Sequence, residues 1–158
     1  GFARCHWRMV HGIRVGVAVP ASDKKAAFAA VEQALDLIAQ LDPRRLRQMQ
    51  RDVHRVVVGR RRTSFTVIGR ACYVEAKELS KSAGIVALSL VHEAVHARFA
   101  RAGVLSSGRD AARQEVRCNR EELEFLDRME TAGWRDLATL RGWLQDTLAS
   151  EAQRVLAS

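Results

Sequence analysis

A chain of 158 residues is long enough for one domain with its own hydrophobic core and too short for two independent ones. Its 47% hydrophobic content and only two prolines exclude a disordered or low-complexity protein, and no apolar run approaches the ~18 residues of a membrane span. The net charge of +8 is almost wholly arginine; no aromatics interleave the clusters Arg44-Arg45-Leu46-Arg47 and Arg60-Arg61-Arg62, which read as solvated positions, so nucleic acid is not the expected partner.

From Trp7 to Val19 the residues Met9, Ile13, Val15, Val17 and Val19 partly alternate with polar or small ones, which predicts one strand. Pro20-Ala21-Ser22-Asp23 ends it and offers Ser22 as an N-cap. Over 23–41, Ala27, Phe28, Val31, Ala34, Leu35, Ile38 and Leu41 recur at helical spacing. Asp42-Pro43 then opens a short arginine-rich helix to about Gln50, with Pro43 in the first helical position. The β-rich runs Val53–Val58, Ser64–Ile68 and Ala71–Ala76 predict a meander. Three helices follow, over about 82–102, 108–131 and 134–156, and Trp134 and Trp143 are expected to pack the last of them onto the core. The predicted class is α+β, one domain over 1–158, with a small twisted sheet against an active-site helix and two further C-terminal helices. Cys5, Cys72 and Cys118 are an odd number with no CxxC pair, which fits a reducing compartment and makes the cytoplasm the expected location.

The chemistry concentrates in Leu90-Val91-His92-Glu93-Ala94-Val95-His96. Residues four apart lie about 40° apart around a helix, so both imidazoles leave one face and can bind one cation. Glu93 lies about 100° round from His92, on the flank of that face, where it can reach a metal-activated water without ligating the metal. The segment is apolar nearly all round (Ile85, Val86, Leu88, Leu90, Val91, Val95, Phe99), which predicts a buried helix in which unpartnered His and Glu would be costly.

A catalytic zinc site needs a third protein ligand and one position left for water. With Glu115 at 0° and about 100° per residue, the apolar residues of the next helix cluster around Glu115 itself. Glu122 falls at about −20° and Asn119 at about 40°, whereas Glu121 and Glu124 fall about 120° and 180° away, on the solvent side. Glu115 and His96 are equally far from the turn between the two helices, and Glu122 sits roughly 10 Å further along. Glu115 is therefore the expected third ligand. Glu122 reads first as a buried hydrogen-bonding partner of an arginine or a ligand histidine, and second as an alternative metal ligand. Cys118, on the same stripe, reads as a small buried core residue rather than a thiolate ligand.

His92-Glu93-Ala94-Val95-His96, eighteen residues, then Glu115 resembles the gluzincins, the thermolysin-type clan of zinc peptidases, in a minimal single-domain form. Residues 64–130 carry the resemblance. It implies a zincin-like fold and hydrolysis of peptide or protein substrates around one Zn²⁺ held by His92, His96 and Glu115. It further implies Glu93 as general base, Asn119 orienting a ligand histidine, and the strand Cys72-Tyr73-Val74 as an edge that takes up extended substrate. The chain departs from the larger members in having no Tyr or His after Glu115 to stabilise an oxyanion; Arg113, Arg117, Tyr73 and His54 are the conceivable substitutes. That departure supports an alternative, a zincin-like binding or regulatory module with weak turnover or none.

Overall fold

His11 and Gly12, with φ of 47° and 72°, turn the first predicted strand back on itself. A computed structural model of the chain describes residues 5–20, 23–104 and 106–157. It gives β1 (His6–Val10) and β2 (Ile13–Val17) as an antiparallel hairpin in place of one strand, Val10 pairing with Ile13 across a two-residue turn in which both φ values are positive. That turn changes which residues face inward. Val10 is buried and Met9 is 65% exposed, opposite to an unbroken alternation from Met9. The expected cap Ser22 lies outside the described residues.

The helix α1 (Lys24–Leu41) buries Phe28, Val31, Leu35 and Ile38, as its periodicity requires. In α2 (Pro43–Asp52) Pro43 holds the first position and the Asp42 carboxylate accepts a hydrogen bond from Arg45 N–H at 3.1 Å. Next come β3 (Arg55–Gly59), β4 (Ser64–Thr66) and β5 (Ala71–Glu75), then α3 (Ala83–Arg101), α4 (Gly108–Thr131) and α5 (Ala138–Ala157). No described helix is long and apolar enough to cross a membrane.

The five strands form one mixed sheet in the order β1-β2-β3-β5-β4. The predicted meander is therefore corrected. β3 pairs with β5 in parallel, and β4 loops past to the edge and returns antiparallel to β5. The expected substrate edge Cys72-Tyr73-Val74 is thus an interior strand, with both ladders occupied and with Cys72 and Val74 fully buried. The free edge on that side is β4.

Helix α1 packs on β2, and α3 packs on β4 and β5 and against α1, α2 and α4; α5 closes the far side of α4. The last helix begins at Ala138 rather than Trp134, because Gly133 (φ 93°) and Asp136 (φ 61°) interrupt the chain there. Trp134 does pack against the core, beside Gly84, but Trp143 is 60% exposed and Leu144 takes the buried position instead.

Candidate metal centre

Ser82 caps α3 by accepting from Ile85 N–H, and Val86, Leu88, Leu90, Val91 and Val95 bury the helix between the sheet and α4. His92 and His96 leave the side of α3 that faces α4, their ring centroids 5.1 Å apart. Gly103 (φ 76°) and Gly108 (φ 53°) flank the turn that reverses the chain, so α4 runs back alongside. Residues near the turn then meet each other, as do residues far from it.

That pairing is visible atom by atom. His96 Nδ1 lies 3.3 Å from Gln114 Oε1, and His92 Nδ1 lies 3.0 Å from Glu122 Oε2. Between these two contacts, Glu115 spans both imidazoles, with Oε1 3.1 Å from His96 Nε2 and Oε2 3.3 Å from His92 Nε2. Each ring is thus anchored through Nδ1 while its Nε2 turns to one shared spot, the arrangement in which histidines hold a metal. Cys118 Sγ lies 3.6 Å from His96 Nε2, and the ligand atoms of His92, His96 and Cys118 all lie within 4.8 Å of one another. These three residues could together hold a metal ion.

The electrostatics follow from that crowding. Burial alone would keep both imidazoles neutral, but hydrogen bonds with Cys118, Glu115 and Glu122 hold His92 well above its ordinary pKa. Cys118 and Glu115 likewise push His96 up to about 10 against its burial. Hydrogen bonds from His92 and His96 hold Glu115 far below the usual carboxylate range. Glu93 is 7% exposed; burial raises its carboxyl, the two histidines oppose the rise, and Glu115 and Glu122 add to it.

The site opens into a cleft of about 420 Å³. Thr63, Ser64 and Phe65 at β4 form one wall; His92, Glu93, His96 and Glu115 lie at its base. The expected residues His92, Glu93, His96 and Glu115 are therefore brought together. Asn119 is not among the groups holding the histidines. It is buried with its Nδ2 unpartnered, and Glu122 and Gln114 do the orienting instead. Gln114 went unpredicted, although Gln114, Cys118 and Glu122 recur every four residues beside a histidine pair four apart. Cys118, read as a core residue, faces the imidazoles. None of the four conceivable oxyanion donors lines the cleft among the described residues: Arg113 and Arg117 border a separate groove, His54 pairs with Arg70, and Arg61 stacks on Tyr73.

Two further expectations are corrected nearby. Glu121, placed on the solvent side by its wheel position, is 3% exposed and receives Arg45, Arg98 and Arg117. Arg45, read as solvated, is buried in that same network and pairs with Asp42 as well. Arg60, Arg61 and Arg62 are exposed, as expected.

No protein-family model, curated protein or solved structure matches this chain.

Proposed function

We propose that the chain is a zinc-dependent peptidase with a zincin-like architecture, in which His92, His96 and Glu115 hold one Zn²⁺ and Glu93 is the general base. The observation that carries this is the double anchoring: both Nδ1 atoms are taken by α4 side chains while both Nε2 atoms converge on Glu115. When bound, zinc supplies Lewis acidity, which brings the pKa of a water down towards ~7. Glu93 is suited to take that water's proton and later deliver it to the leaving amine, because burial keeps its carboxyl more basic than a solvated one. At the cleft wall, β4 is an antiparallel strand with an unpaired outer edge in the sheet, to which an extended peptide can add by main-chain hydrogen bonds. The substrate edge of the gluzincin resemblance thus passes from β5 to β4.

The test is a pair of variants read by metal analysis and by cleavage of a fluorogenic peptide library. Glu93→Gln keeps zinc and loses cleavage, whereas His92→Ala loses both. Full cleavage by Glu93→Gln sinks the assignment. A second reading, a metal-holding module without turnover, is favoured by the position of Cys118 against His96, a further donor where an active site would leave room for water. Zinc bound with no peptide cleaved decides for it.

A further inference from the structure

A thiol as well as a carboxylate stands beside the two histidines: the ligand atoms of His92, His96 and Cys118 lie within 4.8 Å of one another, and Glu115 contacts both Nε2 atoms. With Zn–N of about 2.0–2.1 Å and Zn–S of about 2.3 Å, a tetrahedral site sets nitrogen and sulfur ligands about 3.6 Å apart, and nitrogen and oxygen ligands about 3.4 Å apart. Cys118 Sγ to His96 Nε2 measures 3.6 Å, and the Glu115 oxygens lie 3.1 and 3.3 Å from the two Nε2 atoms. The Cys118 Sγ to His96 Nε2 separation is that of an edge of a ligand tetrahedron.

The helix spacing explains how the sulfur comes to be there. Gln114, Cys118 and Glu122 form one row along α4 at every fourth residue, and the two outer members hold the Nδ1 atoms. The middle member can only face the gap between the rings, and Glu115, three residues before it, enters the same gap. Cys118 is fully buried, so the sulfur has no solvent to turn to.

We propose that Cys118 Sγ, as a thiolate, is the fourth protein ligand of the metal held by His92, His96 and Glu115. This rests on the metal-centre reading above. The thiol proton leaves to solvent on loading, and no oxidant or reductant takes part. With four side chains bound, no position remains for water unless the coordination number rises to five or the thiolate withdraws, so the resting site is closed.

The experiment is Co²⁺ titration of the metal-free full chain under reducing conditions, with zinc K-edge absorption on the zinc-loaded chain. The wild type is expected to show visible d–d bands together with an intense near-ultraviolet sulfur-to-cobalt band at one equivalent, and one sulfur neighbour at about 2.3 Å from zinc. A Cys5→Ser/Cys72→Ala variant keeps both signals, since Cys118 is then the sole thiol. Cys118→Ser keeps the d–d bands, loses the sulfur band and binds metal on the order of 100-fold more weakly. Should Cys118→Ser fail to fold, the wild type and the Cys118-only variant still decide. Metal bound with d–d bands but no sulfur signal overturns the Cys118 assignment and leaves the His92–His96–Glu115 site standing. Failure of the wild type to bind metal at all overturns both.

Discussion

Replacing Glu122 isolates the contribution of a residue that touches no metal. Its carboxylate is 3.0 Å from His92 Nδ1 and only 6% exposed, so it fixes the proton on Nδ1 and leaves the Nε2 lone pair facing the site. Partners of this kind are worth about 10–100-fold in metal affinity, or roughly 1.4–2.7 kcal/mol. Glu122→Gln keeps the volume and a carbonyl acceptor and loses only the charge, so its loss belongs at the lower end, about 10-fold. Glu122→Ala also strands the His92 N–H in a mostly buried site, which brings the loss to about 100-fold. Gln114→Ala removes a neutral acceptor at a longer 3.3 Å and costs less than either. Competition with a chromophoric chelator gives the zinc affinities, and circular dichroism checks that each variant is folded. The predicted order of loss is Glu122→Ala, then Glu122→Gln, then Gln114→Ala. A folded Glu122→Ala variant that binds zinc as tightly as the wild type would refute the anchoring argument.

Three other outcomes follow from the same contacts. Hydrogen bonds and charge from Arg98 and Arg45 depress the Glu121 carboxyl against its burial, so its contribution is present above the unfolded pKa near ~4.3 and is lost as pH falls through the lower folded value. Glu121→Gln should therefore cost about 3–5 kcal/mol in denaturant unfolding at pH 7, with the gap narrowing as pH is lowered below about 4; a gap that stays constant or widens on acidification contradicts it. For Gly84→Ala, a Cβ would lie 2.4 Å from the Met129 methyl, which is buried at 1% exposure, so overpacking of about 1–3 kcal/mol exceeds the helix-propensity gain of about 1 kcal/mol. A more stable Gly84→Ala variant disproves that. In the metal-free chain the raised His96 contributes stability fully present below its unfolded pKa of about 6.5 and lost as pH rises through about 10. Chelation should thus lower Tm more at pH 9 than at pH 6, and equal drops at the two values contradict the charge balance.

The helices were legible because each carries its own periodicity. The apolar stripe of α4 placed Glu115 centrally, and Glu115 does span both histidines. A wheel knows only its own helix, however. Glu121 lies off the centre of its helix's apolar stripe; Arg45, brought over from α2, buries it through an ion pair that no spacing rule encodes. The sheet order was illegible for a related reason. β3, β4 and β5 follow one another in sequence, but β5 inserts between the other two, and nothing local in Gly59–Thr63 announces the crossing. The hairpin at His11-Gly12 did carry a signal, a glycine after a residue that tolerates positive φ, which the run of alternating residues masked.

Asn119 and Glu122 mark where analogy and position diverge. Asn119 is buried with its Nδ2 unpartnered, whereas Glu122, one step along the row set by Gln114 and Cys118, reaches His92. The difference bears on what the site is for. Three carboxylates, Glu93, Glu115 and Glu122, are gathered around two imidazoles in largely buried surroundings. Without a cation, that arrangement needs protons on the rings, which is why both histidines are raised. A divalent ion can take over the charge of those protons while leaving every Nδ1 contact in place, because the anchors bind the far side of each ring.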